Sequence, residues 1–581
     1  MAGELGFLTI SEFNGTLRLI KPSDKLAPGD LRFAENVILD KISGTISLAP
    51  GYTQLSGSAL SQTSVHSLIR RGATRYQGAG SEFYRGFGTA IKTGLNGNRL
   101  SLVNYGDGKA NDWTFIVGGG DELKDDGTNL RNFGIAAPTF TASIADGGAG
   151  NISSTNSYKI TYKSSVTGHE SNPSPVTSDL AVSSKNIDIS GMTASSDAQV
   201  DKKRIYRTDL TISTWNFVAE IADSATTYTD NIAVTALGDA IEIDNNVPGA
   251  FTILTGPVFN RLFAAGLVGN LLRWSKPYED GKSRGECWPA LFELEVGSLE
   301  DTIVDLITAF GTLIIPCAES WYRLSGTTTS TFNIVNTRAH RGLAAYRAWA
   351  MTPGGIMFLG LDGLYVFDGI RTVPIYESLR PLFRNETVNS VAPLNLEQIS
   401  KCRMASYGDF VYLSYPSGTG TNNDKVIRFH MSQEQATQLD WDAESIYHEP
   451  IADVLTFGDR SGKVHQETGF QANGSNQSYQ AQTGDLRDTN DPLTLFRVKR
   501  IVKILIDYET GGTNMTLDII GDGTSIKTYT LSTSSRTKET LDPPNDARGI
   551  RIRAKFTGTS GTDFSLYGLT ILYELGEIKF G

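Results

Sequence analysis

Residues 355–369 read Gly-Ile-Met-Phe-Leu-Gly-Leu-Asp-Gly-Leu-Tyr-Val-Phe-Asp-Gly. Two apolar runs, each too short for a stable helix, are separated by Gly-Leu-Asp-Gly and closed by Asp-Gly. Glycine and aspartate supply the positive φ and the side-chain-capped turns that a tight reversal needs. The stretch therefore predicts an antiparallel hairpin that is apolar on both faces. Such a hairpin buries itself only if other sheets pack against both of its sides.

The same grammar recurs on either side. Asn260–Ala264 is followed by Leu271–Trp274, Phe310–Ile315 by Trp321–Gly326, and Tyr407–Leu413 by Val426–Phe429, with a fainter copy at Leu455–Val464. A spacing of roughly 45 to 53 residues is the period of β-propeller blades, small sheets that hide their faces against one another. Residues 250–470 are assigned to such propeller-like repeats. Val65–Tyr76 and Leu100–Val117 also read as paired strands, so residues 1–136 are assigned to an N-terminal β region contributing a platform or first propeller strands.

The pattern changes at residues 137–235. Alternating runs at Tyr158–Tyr162, Lys203–Arg207, Trp215–Val218 and Thr227–Asp230, with Glu170-Ser-Asn-Pro-Ser-Pro175 between the first two, fit an immunoglobulin-like sandwich. This stretch resembles a fibronectin type III module. Residues 490–581 resume period-two alternation, clearest in Ile550-Arg-Ile-Arg-Ala-Lys-Phe556 and in the runs starting near Leu495, and are assigned to a C-terminal β-sandwich. Helical periodicity is confined to Leu26–Val37, Gly342–Ala350 and Tyr376–Phe383, read as short connectors. The expected fold class is mainly β and multi-domain.

At 581 residues, with 39% hydrophobic and 20% charged residues, the chain supports several buried cores and is neither a disordered nor a membrane composition. There is no apolar run of membrane-spanning length and no basic-then-apolar start in Met1–Phe13, so folding in the bacterial cytoplasm is expected. A net charge of -11 argues against wrapping nucleic acid, which needs clustered positive charge. An acidic channel wall would instead let DNA slide without sticking.

Motifs for chemistry fail on spacing. Gly281-Lys282-Ser283 lacks the earlier glycine of a phosphate loop, because that position is Lys276. Gly558-Thr-Ser-Gly561 has the wrong spacing for a nucleophile elbow. His66, His169, His340, His430, His448 and His465 form no helical metal pair, and Cys287, Cys317 and Cys402 are widely spaced and read as buried thiols. Asp362, Asp368, Asp409 and Asp459 fall near predicted turns, where aspartate caps its own backbone; the rival reading is a carboxylate pair that cleaves sugars. Trp321, Tyr322, Tyr365, Phe367, Phe410 and Tyr412 read as packing between sheets, against a sugar-stacking platform. The basic groups Lys202-Lys203-Arg204, Arg497 with Lys499-Arg500, and Arg551 with Arg553 read as solvated or inter-subunit faces, against contact with DNA. No catalytic, cofactor-binding or metal-binding residue is assigned.

The opening, Asn14-Gly through Pro22-Ser-Asp-Lys-Leu-Ala-Pro28-Gly-Asp, then Ala34-Glu-Asn-Val37 and Pro50-Gly-Tyr52, resembles the start of short-tailed bacteriophage tail nozzle, or tail tubular protein B-like, subunits. Arg131–Pro138, Gly266–Pro289 around Arg273-Trp-Ser275 and Cys287-Trp288, Gly360–Gly369, and Phe496–Tyr508 look like the same family. The resemblance implies a virion structural protein without enzymatic activity. It implies a homohexameric ring below the head-to-tail adaptor, double-stranded DNA passing through the axis, and tail fibres or a tail needle attached nearby. Packaged-DNA-stabilising head-closure proteins are similar too, so a stopper role stays open beside the nozzle, as does a receptor-binding or polysaccharide-degrading tail protein.

Overall fold

The computed structural model describes residues 5–13, 15, 17–40, 43–106, 112–209, 212, 214–267, 269–279, 281–488 and 496–578. Asn14 and Leu495, used in the sequence reading, lie outside them. The chain is mainly β and multi-domain, and its described helical residues are confined to 3-10 segments.

Among the described residues, seven four-stranded antiparallel blades form a propeller-like ring. Their innermost strands are Val65–Arg71, Ser101–Tyr105, Ile253–Val258, Ile307–Ala309, Trp349–Thr352, Arg403–Tyr407 and Ser445–Glu449. They follow one another around an axis, and the seventh lies against the first. The hairpin at residues 355–369 forms the two middle strands of blade five, Gly355–Leu359 and Leu364–Phe367, with Ile356 opposite Phe367. Every residue of Gly355–Leu359 is buried, as a strand covered on both faces requires.

The cores lie between blades. Trp321 of blade four stacks 4.6 Å from Phe367 and lies 4.7 Å from Phe358, both of blade five. Blade seven has three of its strands in Ser445–Glu449, Val454–Gly458 and Val464–Glu467. Its fourth is Tyr52–Gln54, from far upstream, with Tyr52 opposite Glu467 and Gln54 opposite His465. Gly51 admits this strand, since a Cβ there would lie 2.2 Å from the Gln471 carbonyl oxygen. Trp441 joins the parts: it stacks on Phe457 at 5.1 Å and on Tyr412 at 6.0 Å, with the Tyr52 ring edge-on at 5.8 Å.

The 1–136 region expected from sequence is divided three ways. The strands from Val65–Arg71 to Leu130–Asn132 form blades one and two, and Tyr52–Gln54 closes blade seven. Leu17, Leu19 and Phe33 pack into the core of blades four to six, while Leu5–Ile10, Leu31–Glu35, Val37–Asp40 and Thr45–Leu48 join the sheets of the C-terminal sandwich. There Leu5–Ile10 and Thr45–Leu48 pair with Ser565–Ile578, and Leu8 and Ile10 are buried in one core with Ile504, Phe556 and Tyr573. The facing sheet contains Met515–Gly521, Thr524–Leu531, Ile552–Ser560 and Ser475–Thr483, then Leu31–Glu35. Leu31–Glu35 also bridges the outer strand of blade six through Glu35 and Gln438, so one hydrogen-bonded sheet runs from sandwich to propeller. Lys425 clamps that seam with an ion pair to Glu35 at 2.6 Å.

Between blades two and three the chain leaves the ring and folds a seven-stranded sandwich of three and four strands around Tyr158, Ile160, Ile187, Ile189 and Ile205. Inside it, Arg207 pairs with Asp230 at 2.6 Å, and Asp230 also accepts a hydrogen bond from the Tyr158 hydroxyl.

Two expected helices are strands or loops. Pro28 and Gly29 stop a helix in Leu26–Val37, and Leu31–Glu35 beyond them is extended. Gly342–Ala350 is irregular before Trp349–Thr352 begins; a Cβ at Gly342 would lie 2.0 Å from the Ala318 carbonyl oxygen. Tyr376–Phe383 coincides with a 3-10 segment, Glu377–Arg384.

Because Trp441 touches two blades and the closing strand, Trp441→Ala is expected to destabilise the ring by ~3–5 kcal/mol through the cavity it leaves. A chemical-denaturation midpoint equal to that of the parent protein would contradict this.

Candidate functional site

The innermost strands of blades one, two, five, six and seven line a half-open cavity of about 310 Å³ on the axial side, whose polar wall includes His66, Arg347, Arg403 and His448. Arg347 precedes the inner strand of blade five and has φ +58, a left-handed backbone uncommon for a side chain of this size. Buried Asp305 holds the turn: its carboxylate accepts from the Arg347 backbone N–H at 3.0 Å, from Trp349 Nε1 at 2.7 Å and from the Leu306 N–H at 2.7 Å. Burial pushes the Asp305 carboxyl up from its ordinary range. The Arg347 carbonyl accepts from the Met404 N–H at 2.9 Å, tying blade five to blade six. Both guanidiniums flank one ring, Arg347 at 5.5 Å and Arg403 at 5.9 Å from the centre of Tyr346.

Arg99, before the inner strand of blade two, spans to the starts of two other blades. Its Nη2 donates to the carbonyls of Lys401 at 3.1 Å and Glu444 at 3.2 Å. Burial lowers its pKa to about 10, which leaves it charged at neutral pH.

A second polar cluster fastens the inserted sandwich to the ring. Lys124 of blade two and Glu286 of blade three, both fully buried, pair at 2.6 Å, and Glu286 also accepts from the Gly134 N–H at 3.0 Å. Lys124 holds the Glu286 carboxyl below its ordinary value despite burial. His169, from the insertion, accepts from the Ile135 N–H through Nε2 at 3.3 Å, so its proton sits on Nδ1, which faces Cys287 Sγ at 3.6 Å. Burial pushes the Cys287 thiol up to about 12, so the sulfur stays protonated. Around the rim Glu242 binds Lys282 at 2.5 Å and Arg284 at 2.5 Å.

A third feature lies on the sandwich. Leu5–Ile10 is an edge strand that pairs, among the described residues, only with Ser565–Ile578. It carries no charge and no proline. Leu5 and Phe7 are each 57% exposed, with Leu505 exposed on the same sheet face and Leu572 opposite Phe7. Phe496 stands exposed nearby in sequence. A depression of about 330 Å³, bordered by Thr9, Leu505, Tyr567 and Thr570, adjoins them.

The residues singled out in the sequence are dispersed. Asp368 accepts from the Ile370 and Arg371 N–H groups at 2.9 Å each, and Asp459 caps Ser461 and Lys463 while accepting from His465 at 3.0 Å. Asp362 accepts from the Tyr365 hydroxyl at 2.7 Å, and Asp409 is exposed in a turn. Trp321, Tyr365, Phe367 and Tyr412 are buried between sheets, Tyr322 packs partly buried beside the core of blades three and four, and Phe410 lies under Arg428 at 3.3 Å.

Of the basic groups read as solvated or inter-subunit faces, Lys203 and Lys499 are buried, Arg500 and Arg551 are exposed and the rest are partly exposed. Lys203 is buried against the carbonyls of Asp223 and Ala225, and Arg204 pairs with Glu170 at 2.8 Å beside Lys202. Lys499 is buried, donates to the Ile550 carbonyl at 2.5 Å, and has its pKa lowered to about 8 by burial. Arg553 pairs with Asp485 and Arg500 with Glu574 at 2.7 Å, while Arg497 and Arg551 lie nearer the surface. Alternation with apolar residues told that these positions were on strands; which face was covered depends on a second sheet that local sequence does not reveal. Cys317 and Cys402 are buried, His340, His430 and His448 are partly or fully exposed, and no cluster able to hold a metal ion occurs among the described residues. Arg347, Arg403 and the Lys124–Glu286 pair had escaped the sequence reading, being single residues from distant segments with no motif around them.

No protein-family model matches the chain, and no curated protein matches it. Among solved structures, that of apo AztD from Citrobacter koseri aligns with 11% identity over 75% of this chain and 96% of that one, at a TM-score of 0.29. A likeness that slight carries no argument.

His66 and His169 are both held down to about 4, chiefly by burial. Arg99 disfavours the His66 charge further and the Gly80 carbonyl opposes this; around His169, Lys124 and Arg284 disfavour charge while Glu286 and Glu170 favour it. Unfolded histidine titrates near 6.5, so the unfolded chain binds more protons between the two values. The stabilisation is complete above about pH 6.5 and is lost as pH falls toward 4, each group contributing a slope of up to ~1.4 kcal/mol per pH unit. Denaturation midpoints across that window are expected to fall, and His169→Gln to flatten the fall; an unchanged slope in that variant contradicts the assignment.

Proposed function

We propose that this chain is a structural subunit of a short-tailed phage virion, a tail nozzle or tail-tube protein. In this reading copies assemble into a ring, six as the sequence resemblance implies, below the head-to-tail adaptor, retaining the genome and then passing it. The role is mechanical and needs no cofactor.

The observation that carries it is the open edge of the sandwich. Natural sheets ordinarily guard an edge with charge, proline or a bulge, because an unguarded strand pairs with another chain. Leu5–Ile10 has none of these guards, and exposed Leu5, Phe7 and Leu505 extend the apolar surface across the adjoining face. A contact through this edge to a different surface of the next copy is heterologous, and such contacts close into rings when the rotation fits. The continuous sheet between sandwich and propeller supports the reading, because a subunit that transmits load needs a stiff connection between its parts.

Light scattering of the purified chain, alone and with the adaptor ring, tests this. The expected particle is several times 63.0 kDa in at least one of the two conditions. Phe7→Lys and Leu505→Lys are each expected to return it to a single chain without shifting the denaturation midpoint. A persistent monomer indifferent to the adaptor overturns the reading.

A further inference from the structure

We propose that the axial cavity of the propeller is a binding site for a small oxyanion, a carboxylate or phosphate monoester carried on a flat apolar body. This stands independently of the ring-subunit reading.

Several arginines of the ring have an acidic partner. Arg70 and Arg75 share Glu449, each at 2.6 Å, and Arg85 pairs with Asp125. Arg347 and Arg403 differ: among the described residues, neither guanidinium has a carboxylate in ion-pair contact. Asp305 acts on Arg347 electrostatically without an ion-pair contact, its oxygens being spent on backbone N–H groups and the Trp349 indole. Arg403 is only 5% exposed. It donates through Nη1 to the carbonyls of Ser400, at 2.8 Å, and Cys402, which fixes the fork and leaves its other N–H groups for a ligand.

Two fixed cations in a partly enclosed, low-dielectric space concentrate positive potential there, and charge-assisted bonds from a guanidinium fork favour planar or tetrahedral oxyanions. His66 adds no positive charge, being held neutral until about pH 4, and His448 is turned to Asp453 at 3.1 Å. Glu444 is engaged electrostatically by Arg99, and Glu449 by Arg70 and Arg75. The rest of the wall is mixed, with the apolar Leu102, Trp349, Met351 and Ile446 beside Ser67, Ser406 and Ser445. At about 310 Å³ it lies at the small end of ligand-pocket volumes. The left-handed backbone at Arg347 is fixed by the bond from its N–H to Asp305, which sets where the side chain leaves the strand.

The test is isothermal titration of the whole chain with benzoate and with phenyl phosphate, using benzyl alcohol as the uncharged control. One oxyanion is expected to bind per chain, and the alcohol to bind at least about tenfold more weakly, as loss of a charge-assisted hydrogen bond implies. Tighter binding of benzoate identifies a carboxylate site, and tighter binding of phenyl phosphate a phosphate-ester site. Arg347→Met and Arg403→Met are each expected to weaken oxyanion binding about tenfold or more while leaving alcohol binding unchanged. If either variant fails to fold, Arg403→Lys, which keeps the charge and loses the fork, serves in its place. Equal affinity for alcohol and oxyanions, no binding of either oxyanion, or folded arginine variants that bind as the parent does would overturn the proposal.

Discussion

The ring depends on apolar sheets being covered from both sides. A blade such as the one containing Gly355–Leu359 has no polar face to turn toward water, so each becomes stable only when its neighbours are present. An open row of blades would leave two apolar faces bare at its ends. Tyr52–Gln54 removes that problem by supplying the outermost strand of blade seven, and Trp441 packs against it from the adjoining blades. Closure by a sequence-distant strand thus turns seven weak sheets into one cooperative body.

The same need to specify neighbours explains the buried charge. Lys124 and Glu286 lose hydration on burial, and a well-packed apolar pair would often serve stability as well. What the pair adds is direction: it joins blade two to blade three, while Glu286 reaches the Gly134 backbone where the inserted sandwich begins. Glu35 and Lys425 act similarly at the other seam, beside the bridge between Glu35 and Gln438. The inserted and terminal sandwiches are therefore held in defined orientations on the propeller.

Strand pairing inside a blade was legible because both strands lie within a few residues of a glycine or aspartate turn. Phe310–Ile315 with Trp321–Gly326 and Gly355–Leu359 with Gly363–Gly369 announce themselves locally. The partner of Leu5–Ile10 did not, because Ser565–Ile578 lies at the other end of the chain and nothing in either segment names the other. Blade seven was faint for the same reason: its fourth strand lies before its first. The aspartates read as turn formers include Asp368 and Asp459, which cap backbone N–H groups, since that chemistry is local. The axial arginines belong to different blades and converge only through ring geometry, so no spacing along the chain encodes them.

The terminal sandwich packs Leu8, Ile10, Phe13, Ile46 and Leu48 with Tyr479, Ile504, Phe556 and Tyr573 in one core. A ribosome delivers the first of these groups long before the second. At about 5–20 residues per second, the interval is on the order of twenty seconds to a minute and a half. For that time Leu8, Ile10 and Phe13 have no partner sheet, although blades one to six can already be condensing beside them. An apolar edge segment thus waits exposed through most of synthesis, the situation in which chaperone cover guards against mispairing.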